Sequence, residues 1–137
     1  MVLVDTTIWI ALLRGHANAQ VEQLRQLLLD GEALVSPVIL QELLQGAASP
    51  EQMEKLRAHF LRLPILISKD AVATHVAAGA LYARCRWNGI TPRSPHDCLI
   101  AQTAIEHGVP LLHDDRDFEQ IAQVDPRLLL VRTHILK

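Results

Sequence analysis

Five short apolar runs punctuate this chain, at residues 2–4, 33–35, 64–67, 110–113 and 128–131, and helical signals fill the gaps between them. Runs this short, without strict polar alternation, fit strands covered on both faces. The stretch after the first run reads as a helix over residues 8–14, with Thr6 or Thr7 as its cap, and Asn18 opens a second helix that stops at Gly31. Three Ser-Pro pairs, Ser36-Pro37, Ser49-Pro50 and Ser94-Pro95, each combine a capping residue with proline at the first helical position. Gln52 adds a capping box to the middle one. A long Ala-rich helix is expected over 70–88, and a short one after Asp115. Its Ala residues and Gly79 leave room for another helix or another subunit to approach. Strand and helix alternate throughout. The expected fold is therefore α/β, a three-layer α/β/α sandwich with a mainly parallel central sheet.

At 137 residues the chain suits a single domain, 1–137, and its hydrophobic half is ample for a core. The formal charge of −2 lacks the strong positive balance of a protein that binds duplex through phosphate contacts. A polyanionic ligand would need a local basic face or a metal ion. Cys85 and Cys98 have neither zinc-finger nor disulfide-framework spacing and are read as buried free thiols. No run reaches the roughly 18–20 apolar residues of a membrane span, and the first residues do not read as a secretory signal. The expectation is a soluble, cytoplasmic protein without membrane association.

Acids recur beside the apolar runs: Asp5 after residues 2–4, Glu42 within the helix that Ser36-Pro37 opens, Asp97 at the third helical position after Ser94, and Asp115 with Asp117 past the 110–113 run. Carboxylates rarely sit against core segments unless paired or bound to a cation. In open parallel sheets ligands gather beyond the carboxyl ends of the strands, where these acids fall. Acids converging there can hold one or two hard divalent cations, Mg²⁺ or Mn²⁺, which prefer carboxylate and water oxygens. Such ions activate water and neutralise charge on a phosphodiester under attack. Taken singly, Asp97 is also an ordinary capping acid, Glu42 an amphipathic-helix acid, and Asp114, Asp115 and Asp117 a solvated turn. Ser94 is expected to accept the Asp97 backbone N–H, and Thr7 to hold Asp5 or a water on the metal.

Four segments carry a family resemblance: Val4-Asp5-Thr6-Thr7, Leu40-Gln41-Glu42-Leu43, Asp97-Cys98-Leu99-Ile100-Ala101, and Leu111-Leu112-His113-Asp114-Asp115-Arg116-Asp117-Phe118. In this order and spacing the chain resembles PIN-domain ribonucleases, specifically the VapC toxins of bacterial toxin–antitoxin pairs. The likeness covers essentially the whole chain. It implies a PIN-like fold and a catalytic, metal-holding quartet of Asp5, Glu42, Asp97 and Asp115, with Asp117 as a weaker fifth acid. It also implies Mg²⁺- or Mn²⁺-dependent cleavage of RNA, commonly tRNA or rRNA, a homodimer, and inhibition by a cognate VapB-type antitoxin. His113 departs from the family, which often has Thr or Ser there. It and His96 are read as surface histidines rather than ligands.

Arg84, Arg86 and Arg93, with Arg14 and Arg116, form either a phosphate-binding rim for RNA or an ordinary solvated face. Trp87 is read as core, dimer packing or a platform for a base, and Trp9 as core or part of an antitoxin groove. Two other functions compete. A phosphotransfer domain of phosphatase type would need Asp-x-Asp after the first strand, where position 7 is Thr, and a receiver would not carry its acidic pair as late as Asp114-Asp115. A non-catalytic PIN interaction module would not need an intact quartet.

Overall fold

The computed structural model describes residues 1–132; the last five residues of the expected single domain lie outside it. Among the described residues the elements run β1 (Val2–Val4), α1 (Thr6–Leu13), α2 (Ala19–Leu29), β2 (Ala33–Leu34), α3 (Pro37–Leu44), α4 (Pro50–Phe60), α5 (Ala71–Trp87), α6 (Pro95–His107), β3 (Leu111–Leu112) and α7 (Arg116–Val124). No helix among them is long and apolar enough to cross a membrane.

The three strands form a parallel sheet in the order β2-β1-β3, with Leu3 opposite both Leu34 and Leu111. Consecutive strand residues point to opposite faces. Leu3 and Val4, Ala33 and Leu34, Leu111 and Leu112 are nonetheless all buried, so both faces are covered. That is the three-layer α/β arrangement expected of short runs without polar alternation. Helices α5, α6 and α7 pack together, α3 packs with α1 and α4, and α6 also meets α3.

The two outer runs do not form strands. Residues 64–67 touch β2's edge through one parallel bridge, Val35 to Ile65, and residues 128–131 touch β3 through another, Leu111 to Leu130. Among the described residues each edge carries two ladder hydrogen bonds: Val35 N–H to the Pro64 carbonyl (3.2 Å) and Leu66 N–H to the Val35 carbonyl (2.8 Å), then Leu111 N–H to the Leu129 carbonyl and Val131 N–H to the Leu111 carbonyl (both 2.9 Å). Pro64 has no N–H to extend the first ladder. Among the described residues neither run is paired with the sheet beyond these bonds.

The caps refine the expected helix starts. Asp5, not Thr6 or Thr7, is the N-cap of α1, and its side chain accepts the Thr7 N–H. Ser49 caps α4 as expected, accepting the Gln52 N–H. Ser36 takes the N-cap position of α3, but its hydroxyl is buried without a hydrogen-bond partner. Ser94 caps α6 through the His96 N–H (3.2 Å), while Asp97 N–H goes to the Ser94 carbonyl (3.1 Å). Asp97 therefore owes its place to the helix backbone, and its carboxylate is free of the capping role. Asp115 is the N-cap of α7, three residues past the end of β3 rather than directly after a strand.

Trp9 belongs to the core. It is fully buried, donates its indole N–H to the Val4 carbonyl at 3.0 Å and meets Phe60 edge-on at 5.3 Å between ring centroids. Cys85 and Cys98 are buried free thiols, as expected, and burial pushes Cys98 up to about 12.

Candidate metal centre

The acids arrive at one place because the sheet is parallel. Asp5 follows β1 at its carboxyl end, Asp115 and Asp117 open α7 just past β3, and Asp97 lies in the first turn of α6. One carboxylate oxygen from each of Asp97, Asp115 and Asp117 lies within 4.8 Å of the other two. Asp5 and Glu42 raise the Asp97 carboxyl through their charges, so all five acids share one electrostatic site.

Asp5 is only 3% exposed. Burial pushes its carboxyl above the usual carboxylate range, hydrogen bonds from Thr7 pull it back, and the Glu42 charge pushes it up again. The Thr7 hydroxyl donates to Asp5 Oδ2 at 2.6 Å, the contact expected of it. Glu42 is held by Thr6, which was expected only as a helix cap: its hydroxyl donates to Glu42 Oε1 at 2.8 Å. Two adjacent threonines thus each fix one acid. On the other side of Glu42, His96 Nδ1 lies 3.6 Å from Oε2.

Asp97 feels the strongest push, to about 7. Burial is the largest cause, followed by the charges of Asp5, Asp115, Asp117 and Glu42. Like charges in a partly desolvated cluster favour a proton or a cation. The donor set decides which cation fits. It is carboxylate throughout, with no thiolate, and all-oxygen sites suit Mg²⁺ or Mn²⁺ rather than softer metals.

The arginines divide. Arg93 is tied to the acids: its NH2 donates to Asp115 Oδ1 at 2.9 Å, and its Nε and backbone N–H donate to Asp117 Oδ2 at 3.3 and 3.0 Å. Arg116 is exposed between Asp115 and Asp117 and lines a cleft with Gln20, His113 and Leu130. Arg86 is exposed near the end of α5. Arg14 caps the far end of α1, so about 12 Å of helix separates it from Asp5. Arg84 is committed elsewhere: its NH2 donates to the buried Asp125 Oδ2 at 3.3 Å, and Arg127 holds the same carboxylate at 2.7 Å. Arg127's hydrogen bonds are the main cause that holds Asp125 down at about 2. Arg84→Ala should therefore lower stability by about 1 kcal/mol, a partly exposed pair contributing little more. A thermal melt checks this.

His113 is a positioning residue. Its Nδ1 accepts the Asp115 N–H at 3.1 Å, and its ring packs edge-on against Phe118. Asp114 is exposed and meets Gln20 at 3.4 Å. Trp87 stands 78% exposed at the end of α5, outside the core.

Comparison with known proteins agrees with this geometry. The PIN domain family model matches residues 2–124. Ribonuclease VapC11 of Mycobacterium tuberculosis is 36% identical over 126 residues, 90% of this chain and 93% of that protein, and a VapC ribonuclease of Mycobacterium bovis matches to the same extent. Among solved structures, VapBC2 from Rickettsia felis, bound to a DNA fragment from their promoter, superposes with a TM-score of 0.72 at 25% identity, covering 96% of this chain and 98% of that one. FitAcB from Neisseria gonorrhoeae shares the fold, with a TM-score of 0.67 at 18% identity over 97% of this chain and 98% of its own.

Proposed function

The chain belongs to the PIN-domain family, and from that premise we propose that it is a single-domain endoribonuclease toxin of the VapC type, dependent on Mg²⁺ or Mn²⁺ and neutralised by a VapB-type antitoxin. One observation carries the metal reading: five carboxylates from four separate segments share a site in which Asp97 is pushed to about 7, chiefly by burial and by the charges of the other four. A cluster so charged repels an RNA phosphate unless a cation sits among the acids. The relatives named ribonucleases supply the substrate class, and the VapBC2 complex supplies the class of partner.

Asp97, Asp115 and Asp117 would hold the ion together with Asp5, and Glu42 would close the side of the site that Thr6 and His96 face. A divalent ion bound there supplies an activated water and neutralises charge on the phosphodiester. The protein's own part is positioning. Thr7 fixes Asp5 Oδ2, Thr6 fixes Glu42 Oε1, and the Asp117 N–H fixes Asp115 Oδ1 at 2.9 Å. Without an ion Asp97 carries the strongest upward push of the acids, so it is the carboxylate that gains most from a cation in the site. Arg116, exposed beside Asp115, is placed to meet a backbone phosphate of the RNA. Arg86 and Arg14 would extend that contact only for a long substrate. An antitoxin that inserts a basic side chain among the acids would compete with the ion directly. A homodimer would cover the exposed apolar residues Ile67, Val72 and Val76.

Chelation tests the reading. Purified protein incubated with labelled RNA should lose cleavage in excess chelator and regain it on adding Mn²⁺ or Mg²⁺. Cleavage undiminished by the chelator, with contaminating nuclease excluded, would overturn the metal dependence.

A further inference from the structure

We propose that Arg93 is a resident counter-ion of the acidic site, a tethered cation that competes with the divalent ion for Asp115 and Asp117. The proposal rests on the reading of these acids as a cation site. Arg93 lies in the loop between α5 and α6 and bonds to two of the three acids whose oxygens cluster. The acids are mostly covered, with side chains 13% exposed each, whereas Arg93's side chain is 76% exposed. The guanidinium therefore closes the cluster from the solvent side.

The pattern of bonds argues for competition rather than for scaffolding. Arg93 NH2 bonds Asp115 Oδ1, which the Asp117 N–H already fixes at 2.9 Å. Arg93 Nε bonds Asp117 Oδ2, which Arg93's own backbone N–H already fixes at 3.0 Å. Both carboxylates stay oriented by backbone donors when the side chain is removed. What the side chain adds is a positive charge at hydrogen-bond distance from two would-be ligands. A divalent ion that takes up Asp115 and Asp117 must bind beside that charge or displace it. Because the guanidinium faces water, it can be displaced into solvent at little cost. The released side chain has an RNA phosphate within its chemistry, since arginine binds carboxylate and phosphate by the same fork.

Manganese titration calorimetry on the full chain separates charge from geometry. Arg93→Gln removes the charge and keeps the length; Arg93→Lys keeps the charge and loses the fork. Substitution of so exposed a side chain leaves the core untouched, and circular dichroism checks this. Arg93→Gln should bind Mn²⁺ about three- to tenfold more tightly, the effect of removing one charge a few ångströms from a divalent ion in a near-surface dielectric. Arg93→Lys should stay within about twofold of the parent, because the competing charge remains. Equal or weaker Mn²⁺ binding by Arg93→Gln would overturn the proposal while leaving the metal site itself standing. Absence of Mn²⁺ binding in the parent and the variants alike would instead overturn the metal site, and the proposal with it.

Discussion

Asp97→Asn is expected to cut RNA cleavage by on the order of 10²–10³-fold or more, with the fold unchanged. The substitution keeps the side chain's size and leaves its backbone bond to the Ser94 carbonyl in place. Ser94 still caps α6 through His96, so the helix start does not depend on the carboxylate. What disappears is one of the clustered carboxylates of Asp97, Asp115 and Asp117 that are proposed to hold the ion. That loss acts on the chemical step. Asp5→Asn should fall similarly. Asparagine is the right partner there, because Asp5 is also the N-cap of α1, and alanine would add about 1 kcal/mol of helix destabilisation to the catalytic loss. Single-turnover cleavage of a labelled RNA at saturating Mn²⁺ measures the effect, with circular dichroism as the control for folding. Cleavage by Asp97→Asn within a few-fold of the parent would remove Asp97 from the chemistry.

Much of this site is legible in the amino-acid order, because its acids lie at element boundaries that leave strong local signals. Asp5 ends an apolar run, and Asp97 follows a Ser-Pro start by three residues. Parallel topology then brings those boundaries to one edge of the sheet. The less legible part depends on side chains that reach across the fold. Thr6 and Glu42 are 36 positions apart, and nothing local to either marks the 2.8 Å bond between them. Arg84 and Arg93 look alike in sequence, both basic and both upstream of Asp97. The fold sends one to the buried Asp125 and the other to Asp115 and Asp117. The outer runs at 64–67 and 128–131 are apolar enough for strands, yet each contributes a single bridge. Pairing length is a tertiary outcome that no propensity rule sees.

The metal-free protein should lose stability as pH rises from about 4 to about 7. In the unfolded chain Asp97 releases its proton near 3.8, whereas in the fold it holds the proton to about 7. Between those values the folded state binds more protons than the unfolded one, so raising the pH favours unfolding. Asp5 is shifted upward too, mainly by burial, and adds in the same direction. Asp125 is held down at about 2 and works oppositely, but its stabilisation is already complete above 3.8. At about 1.4 kcal/mol per pKa unit the Asp97 shift sets a ceiling of about 4 kcal/mol, and residual solvent in the site brings the expected loss to about 1–3. Mn²⁺ should reverse the trend, because it replaces the proton among the acids: its stabilisation should be large at pH 7.5 and small at pH 5, where protons occupy the site. Asp97→Asn should flatten the pH profile and melt above the metal-free parent at pH 7.5, a gain in stability at a residue whose loss of charge is expected to cut cleavage. Thermal melts in chelator at pH 5 and 7.5, with and without excess Mn²⁺, read all three effects. A metal-free parent that melts higher at pH 7.5 than at pH 5 would show that the acids are not held together against their own charge, and that the fold does not by itself create the demand for a cation.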